Sequence, residues 1–407
     1  MPESAAGPLH GMVVLDMTAV VLGPLATQIL GDYGADVIKI EPPGGDSMRS
    51  NGTPRTPGLG SIFLALNRNK RSIALDLKRP EGQAVLRRLI ARADALVHNM
   101  RPAAMARLGF GPEACLALNP RLVYAAAPGF GQDGPDRDLP AFDDVIQAAC
   151  GLAALLSEGE AEPRYVPSLI ADKTTGLMLA NAVLAALLAR ERTGRGQAVE
   201  VPMLETMVAF LLAEHMGGLT YPGSGLPAGY HRVTRGGRRP MPTADGHIAI
   251  LPYSAEDWFQ LFDLVGRRAE AERLGVADRS RRNAHIQELY RLLAEITRTR
   301  TTAEWLAICR RLDIPAMRLI PLEELPDQPH LQAVGLFRES LHPHAGPIRE
   351  IRPPVRFSAT PAALRRPAPR LGEHGPEILA EAGFAPAEIA ALAAAGVLIT
   401  PPERMPA

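Results

Sequence analysis

The chain has 407 residues, of which 46% are apolar and 22% charged. This ordinary globular profile and the length predict two or three domains, or one domain that carries an insertion. The 44 basic and 44 acidic side chains balance, so charge gives no basis for a general attraction to nucleic acid or to an acidic membrane surface.

Cysteine usage and hydropathy bear on the compartment. Cys115, Cys150 and Cys309 are far apart and follow no metal-binding spacing, which disfavours a disulfide framework and fits a reducing compartment. No basic and apolar signal segment is visible. The longest nearly apolar run, residues 177–189, is shorter than the roughly 20 residues that cross a bilayer. We therefore expect a cytoplasmic protein with no membrane partner.

The basic residues are unusually uneven in type. Arginine is the rule, and the simplest interpretation of this preference is a coding bias. A lysine that is kept where arginine is the default is nevertheless a candidate for a compact point charge. Only four of the 44 basic residues are lysines: Lys39, Lys70, Lys78 and Lys173.

Strand and helix patterns alternate through the first third of the chain. This alternation predicts parallel βαβ units in an α/β sheet. One helix is predicted at Pro80–Ala91, with proline near its start. The predicted strands are Met12–Met17, Asp36–Glu41, Ala95–His98 and Leu122–Ala126.

The rest of the chain is predicted to be mostly helical. A long Ala- and Leu-rich helix is expected from Thr174 to about Arg192, and the Gly-, Pro- and Arg-rich segment Tyr221–Pro242 is the predicted linker loop. The other predicted elements are strands at Gln197–Met203 and His247–Leu251, helices at Leu204–Gly218 and near 255–265, 279–298 and 302–312, Pro-rich segments near 315–328 and 341–354, and a helical end at 374–396.

Asp172 is the acidic residue with the most distinctive setting. It lies in SLIADKTTG, between an apolar stretch and the predicted long helix. From spacing alone, the commoner role for such an aspartate is a helix N-cap. A carboxylate at a helix N-terminus also faces backbone N–H groups that stabilise negative charge, so capping and chemistry are compatible.

Two further segments carry alternative interpretations. Asn67–Lys78 holds four basic residues and is either a solvated turn and strand or a phosphate-binding segment. Gly236 and Gly237, within TRGGRRP, either cover a site or belong to a plain surface loop. GxSxG, P-loop, HExxH and dinucleotide-binding patterns do not occur, so ATP and nicotinamide chemistry lack support.

Several segments in a fixed order resemble family III CoA-transferases, the group of formyl-CoA transferase and carnitine CoA-transferase. The resemblance is dense over residues 13–205 and resumes at Arg370–Phe384. An ordered set of this kind is far more specific than any one motif. The segments are VVLDMTAVVLGPLATQILGDYGADVIKIEPPGGD, LNRNKRSIALDLKRPEGQAVLRRLIARADALVHNMRP, GFGQDGP, FDDVIQAACG, IADKTTG, TGRGQAVEV and RLGEHGPEILAEAGF.

The resemblance implies a fold. A large Rossmann-like α/β domain would be formed by both chain ends, 1–200 and 330–407. A connecting helix and linker, 201–224, would lead to a smaller inserted α+β domain, 225–329. The ring-shaped chain would form an interlocked homodimer.

The resemblance also implies a site and a reaction. Asp172 would be the catalytic nucleophile that moves coenzyme A from an acyl-CoA donor to a carboxylic acid acceptor, through a mixed anhydride and an aspartyl-CoA thioester. No permanently bound cofactor and no metal would be needed. Gly236 and Gly237 would match the cover loop of the family. The implied CoA contacts are Val20, Val21, Leu22, Leu75, Lys78, Asn99, Met100 and Arg107.

Departures from the family pattern bear on the substrate. Ala19 and Val21 replace a histidine and a glutamine of formyl-CoA transferase, which disfavours a formyl- or oxalyl-specific pocket. An alternative function is 2-methylacyl-CoA racemisation, but Phe142 replaces the histidine of the racemase GHD segment and cannot exchange a proton. A CoA-thioester-binding subunit without turnover is the third interpretation, and the acids themselves stay open.

Overall fold

Short runs of Val, Ile, Leu and Ala form most of the strands, as their fit to a pleated and buried surface predicts. The protein is described from a computed structural model, which covers residues 7–53, 55–157, 162–234 and 237–401. Within these ranges the strands are β1 (Val13–Met17), β2 (Asp36–Glu41), β3 (Lys70–Leu75), β4 (Ala95–His98), β5 (Val123–Ala126), β6 (Gln197–Glu200), β7 (Met241–Pro242), β8 (His247–Ile250), β9 (Ala316–Arg318), β10 (Phe337–His342), β11 (Gly346–Ile351) and β12 (Leu398–Ile399).

Several helices open on proline, which is preorganised for the first helical turn. This holds for the helices that begin at Pro80, Pro102, Pro112, Gly375 and Pro386, in which proline is one of the first two residues. The helices are α1 (Leu22–Asp32), α2 (Ser61–Leu66), α3 (Pro80–Ile90), α4 (Pro102–Arg107), α5 (Pro112–Leu118), α6 (Asp143–Ala149), α7 (Leu152–Leu156), α8 (Ile170–Thr193), α9 (Met203–His215), α10 (His231–Thr234), α11 (Ala255–Asp263), α12 (Arg268–Arg273), α13 (Arg279–Ala284), α14 (Ile286–Thr297), α15 (Thr302–Leu312), α16 (Pro329–Ala333), α17 (Gly375–Glu381) and α18 (Pro386–Ala394).

The main sheet belongs to a unit built from Met1–Leu211 and Gln332–Ala407. Its strand order is β12-β3-β2-β1-β4-β5-β6, and β1 to β6 are all parallel to their neighbours. The βαβ prediction is therefore confirmed. The chain moves outward from β1 in one direction through β2 and β3, and then in the other through β4. The carboxyl ends of β1 and β4 thus meet at a topological switch point, where α/β sheets place their ligands.

The structure changes two of the predicted elements in this unit. The long helix α8 begins at Ile170 rather than Thr174. The Pro-rich segment near 341–354 takes part in a hairpin, β10–β11, in which Pro347 lies opposite Leu341. A proline is tolerated there because β10 and β11 form a two-stranded sheet in which each strand is an edge.

Helix α8 is the one helix of the described residues whose length and composition would allow it to cross a membrane. Its apolar character has another cause, because Leu179, Val183 and Leu187 belong to the core that packs on the sheet. The residues of α8 also make close contact with α1. Core packing therefore accounts for the apolar face of α8 that is turned to the sheet.

The second unit is Leu212–Leu331. It contains the antiparallel sheet β7-β8-β9 and the helices α10 to α15. Its core is built on Trp258, Phe262 and Trp305, all fully buried. The predicted strand at His247–Leu251 is confirmed as β8.

Candidate active site

Asp172 is the third residue of α8, and only 8% of its surface is exposed. The N-cap position is occupied by Leu169, whose side chain makes no capping hydrogen bond. The interpretation of Asp172 as an N-cap is therefore wrong. The reason is that α8 starts earlier than the apolar pattern indicated, so Asp172 is already helical.

The N-terminus of α8 is capped from another helix. An oxygen of Asp143, at the start of α6, accepts the backbone N–H of Asp172 at 2.9 Å, and its second oxygen accepts from the Gln147 amide at 2.6 Å. This carboxylate satisfies an N–H that lacks an intrahelical partner. In the part of the chain that the structure describes, no side chain or backbone group donates a hydrogen bond to the Asp172 carboxylate, which therefore remains available for chemistry.

The surroundings of Asp172 disfavour its charged form. Burial, and then the neighbouring acids Asp143 and Asp144, raise the pKa of Asp172 to about 7 from its ordinary 3.8. A carboxylate of this basicity is a stronger nucleophile than an ordinary one, yet it is still substantially ionised near neutral pH. Phe142, the N-cap residue of α6, presents no titratable group.

A cavity of about 660 Å³ lies at the carboxyl ends of β1, β2, β3 and β4. Its walls are the end of β1 with the next two residues, the loop that follows β2, the β3–α3 connection, and two residues near α4. The lining residues are Met17, Thr18, Ala19, Ile40, Glu41, Pro42, Pro43, Gly44, Gly45, Asp46, Ser47, Leu75, Asp76, Leu77, Lys78, Met100 and Leu108.

The cavity brings together three of the predicted CoA contacts, Leu75, Lys78 and Met100. Lys78 is exposed, so its ammonium group is available to an anion. Arg107 is exposed at the end of α4, directly before the lining residue Leu108. Asn99 is not part of the lining.

Asn99 instead holds the connection between β1 and α1. Its side-chain oxygen accepts the N–H of Ala19, and its amide group donates to the Ala19 carbonyl, both at 2.9 Å. We call Thr18–Val21 the β1–α1 turn. Its residues Thr18 and Ala19 line the cavity, and Val21 is the N-cap of α1.

Val20 has a backbone φ of 70°, in the left-handed region. A β-branched residue adopts this conformation at a cost of about 1–3 kcal/mol, so the surrounding contacts must impose it. The turn leads into α1 beside α8: a Cβ added to Gly176 would lie 2.6 Å from the Leu22 carbonyl oxygen. Gly176 is four residues after Asp172, so both lie on the same face of α8.

The basic segment at 67–78 does not match the first of its two predicted roles. Arg68 is buried against Asp32, Lys70 against Asp16, and the buried Arg71 guanidinium bonds Asp36. The interpretation as a solvated turn and strand is therefore wrong, because β3 is an interior strand of a sheet covered on both faces. Phosphate binding stays a prediction for Lys78 alone, which is exposed and lines the cavity.

The glycine pair and Lys173 complete the predicted set. Gly236 lies outside the described residues. Gly237 belongs to the second unit and has a left-handed φ of 66°; a Cβ there would lie 3.9 Å from Tyr290.

Lys173 is exposed and donates to the Ser168 hydroxyl at 2.5 Å, which is a structural contact. Across the described ranges, no group of His, Cys, Asp and Glu side chains could hold a metal ion.

Sequence reasoning missed the acidic pair next to Asp172. Asp143 and Asp144 stand in AFDDV, directly after Phe142. Two adjacent acids in an otherwise apolar segment were the available signal. Their link to Asp172 spans 29 residues, and no local pattern reveals such a contact.

Comparisons with known proteins define the class. The family model described as CoA-transferase family III matches residues 9–375. The chain is 34% identical to a succinate–glutarate CoA-transferase of Agrobacterium fabrum, covering 92% of this chain and 95% of the relative. It is 32% identical to a formyl-CoA:oxalate CoA-transferase of Rhodopseudomonas palustris, covering 97% and 98%.

Solved structures agree with these relatives. The crystal structure of Rv3272 from Mycobacterium tuberculosis superposes with a TM-score of 0.80 at 32% identity, over 91% of this chain and 98% of that one. A CaiB/BaiF family protein from Brucella suis gives 0.79 at 31% identity, over 93% and 100%. This chain therefore belongs to the family III CoA-transferases and is an enzyme that uses CoA thioesters as substrates.

Proposed function

We propose that the protein transfers coenzyme A between carboxylic acids through covalent catalysis by Asp172. The observation that carries this proposal is a buried, unusually basic carboxylate in the first turn of α8, whose backbone N–H is already capped by Asp143. A nucleophile needs an accessible lone pair and raised basicity, and both features support this role.

The first half of the reaction consists of two substitutions. A carboxylate oxygen of Asp172 bonds to the thioester carbonyl carbon of the donor as its C–S bond breaks, which gives a mixed anhydride and the CoA thiolate. The thiolate then bonds to the Asp172 carbonyl carbon as the anhydride C–O bond breaks. The donor acid leaves as a carboxylate, and an aspartyl-CoA thioester remains.

The second half repeats these steps in reverse with the acceptor acid. Its carboxylate attacks the aspartyl-CoA thioester, and the released thiolate attacks the new anhydride at the acceptor carbonyl. No proton is gained or lost overall, and the thioester energy is kept, so the reaction needs neither ATP nor a metal. Both intermediates hydrolyse readily, so we expect the bound state to exclude water.

The 660 Å³ cavity is the proposed binding site for the CoA moiety. We propose that Leu75 and Lys78 contact the adenine end, and that Lys78 and Arg107 hold its phosphate groups. Met100 and the Val20–Leu22 backbone would guide the pantetheine arm towards Asp172. Asn99 would act on this path indirectly, through Ala19.

The names of two relatives bear on the class of acid. Relatives act on dicarboxylic acids, as in the succinate–glutarate CoA-transferase, and include a "Probable fatty acyl-CoA transferase" of Mycobacterium tuberculosis at 34% identity. Ala19 and Val21 disfavour a formyl- or oxalyl-specific pocket. We propose that residues 1–200 and 330–407 form the CoA-binding and catalytic domain, and that 201–224 is a connecting helix and linker. Tyr221–Arg239 and the small domain, 225–329, would help to select the acid.

We further propose that the chain forms an interlocked homodimer in the cytoplasm. Large apolar side chains on the surface of α6, α8 and α9 support burial against a second copy. They include Val145, Leu177, Leu188 and Phe210. Three free and buried cysteines fit a reducing compartment. Light scattering that gives the mass of one chain at micromolar concentration would contradict the dimer.

The decisive experiment combines exchange with trapping. The protein is incubated with succinyl-CoA and other donors against a panel of mono- and dicarboxylic acids, and CoA exchange is followed by mass spectrometry. Peptides that contain Asp172 are searched for attached CoA. Both signals should vanish in Asp172→Ala and Asp172→Asn, and undiminished transfer in either variant contradicts the mechanism.

The same samples separate the rival functions. Deuterium incorporation at C2 of a 2-methylacyl-CoA in D2O, without an acceptor acid, would indicate racemisation. The exposed Phe142, which cannot carry a proton, weighs against that outcome. Binding of CoA without any turnover would indicate a non-catalytic subunit.

A further inference from the structure

Two of the four lysines are completely buried inside the main sheet unit. Lys39 on β2 and Lys70 on β3 are both 0% exposed. In a chain with 44 basic residues of which only four are lysines, these positions retain the compact ammonium group. A buried ammonium is costly unless it is paired and hydrogen bonded, so its contacts deserve a functional explanation.

Lys70 fixes the end of β1 through Asp16. Its ammonium group lies 2.9 Å from one Asp16 oxygen and also donates to the Pro24 carbonyl at 3.0 Å. The other Asp16 oxygen accepts the N–H of Thr18 at 2.9 Å. The first residue of the β1–α1 turn is thereby attached to a buried ion pair.

Lys39 fixes the same turn from its other side. Its ammonium group donates to the Thr18 carbonyl at 2.9 Å and to one oxygen of Asp46 at 3.0 Å. The second oxygen of Asp46 accepts the N–H of Val20 at 3.3 Å. Asn99 binds both polar backbone groups of Ala19. Consecutive backbone groups of the turn, from the Thr18 N–H to the Val20 N–H, are therefore held by side chains.

These contacts impose the left-handed conformation of Val20. A valine with a φ of 70° would relax to an extended or helical conformation if its neighbours released it. Strain of this kind persists only where the surroundings determine the backbone fully, and it concentrates at functional sites. The two ion pairs, Lys39–Asp46 and Lys70–Asp16, contain two positive and two negative groups. They therefore add no net charge beside the β1–α1 turn.

The location of the turn makes its conformation relevant to the reaction. Thr18 and Ala19 line the 660 Å³ cavity. Immediately after the turn, the Leu22 carbonyl closely approaches Gly176, one helical turn beyond Asp172. A displacement of the turn would move the cavity wall relative to the nucleophile. Misplacement of reacting groups by about 1 Å costs up to about 100-fold in rate.

We propose that Lys39 and Asp46 are positioning residues that hold the β1–α1 turn in its strained conformation, and so set the rate of acyl transfer at Asp172 rather than the affinity for CoA. This inference rests on the proposed function of Asp172 and the cavity. It explains why a charged pair is kept where apolar residues of similar volume are often at least as stabilising.

The test compares two buried ion pairs in the same unit. The double variant Lys39→Met, Asp46→Asn removes the charges at the turn. Its matched control is Arg68→Met, Asp32→Asn, which removes the buried pair at the opposite end of α1. We expect kcat to fall about 10- to 100-fold in the first variant, with KM for acyl-CoA changed by less than about threefold. The control should lose stability but keep kcat within about twofold.

Three outcomes would overturn the proposal: equal falls in kcat for both double variants, an unchanged kcat in a folded Lys39→Met, Asp46→Asn protein, or an effect confined to KM. Amide hydrogen exchange of the peptide from Met17 to Gly23 adds a readout that activity does not supply. It should become faster in the turn variant and stay unchanged in the control.

Single substitutions cover the case in which the double variant does not fold. Asp46→Asn keeps the shape of the side chain, and Lys39→Arg keeps the charge but not the compact head group. Each should lower kcat, and normal kcat in both would overturn the proposal. Lys39 lies outside the cavity lining, so Lys39→Arg should not weaken CoA binding in calorimetry, whereas Asp46 lines the cavity and Asp46→Asn is judged by kcat. Asp172→Ala is run in parallel, because full activity there refutes the proposed nucleophile while leaving the turn comparison interpretable.

Discussion

Replacing Asp172 by asparagine should stabilise the protein in a pH-dependent way while abolishing transfer. Asparagine has the same shape but cannot ionise. In the wild type, burial and the acids Asp143 and Asp144 raise the pKa of Asp172 to about 7 from 3.8. Ionising this carboxyl in the folded protein therefore costs more than ionising it in the unfolded chain.

The sign and the size of the effect follow from this difference. Between pH 4 and pH 7 the folded state holds a proton on Asp172 that the unfolded state has lost, so the stability of the wild type falls as pH rises. Each unit of difference between the folded and unfolded pKa values corresponds to about 1.36 kcal/mol. The stability lost by ionising Asp172 in the folded protein therefore approaches about 4 kcal/mol above pH 7. Relaxation of the site would reduce this upper bound. Asp172→Asn is free of the cost.

Urea unfolding at pH 4.5, 6 and 8, at one fixed protein concentration, measures the difference. The free energy of unfolding of Asp172→Asn should exceed that of the wild type by about 1 kcal/mol at pH 4.5, and by up to about 4 kcal/mol at pH 8. Asp144→Asn, which removes one neighbouring charge, should show a smaller gain with the same sign. A constant difference at all three pH values, or a less stable Asp172→Asn protein at pH 8, would refute the electrostatic account of this site.

Three further predictions concern catalysis and packing. As pH rises, kcat/KM should increase with a midpoint at about pH 7, because only the carboxylate form of Asp172 attacks, and Asp144→Asn should move that midpoint to lower pH. A midpoint near pH 4 in the wild type would contradict this. Lys78→Ala should raise KM for acyl-CoA by about tenfold with little change in kcat, because a charge-assisted phosphate contact is lost. As a control, Arg121 is exposed and lies outside the cavity lining, so Arg121→Ala should leave KM unchanged. Gly176→Ala should destabilise the protein by about 1–3 kcal/mol in urea unfolding, because the added Cβ would lie 2.6 Å from the Leu22 carbonyl oxygen. A urea midpoint equal to that of the wild type would show that α1 and α8 separate easily.

Local pattern was sufficient for much of the fold. β2 and β4 lie at the predicted residues because alternation and apolar runs of four to six residues specify buried strands. The ordered motifs predicted the family, which the comparisons confirm. The sequence places the start of α8 too late because the N-cap residue, Leu169, is not a capping type, and the cap comes from Asp143 on another element.

The sequence by itself determined the parallel α/β sheet, the family and Asp172 as the residue to examine. Only the tertiary structure decided what surrounds that residue, because pKa and strain depend on groups that are distant along the chain. Asp143 reaches Asp172 across 29 residues, and Lys70 reaches Asp16 across 54. The left-handed Val20 is imposed by such contacts and has no signature in local composition. Asp172 therefore remains the proposed nucleophile, but its capping partner, its basicity and the turn beside it are properties of the assembled fold.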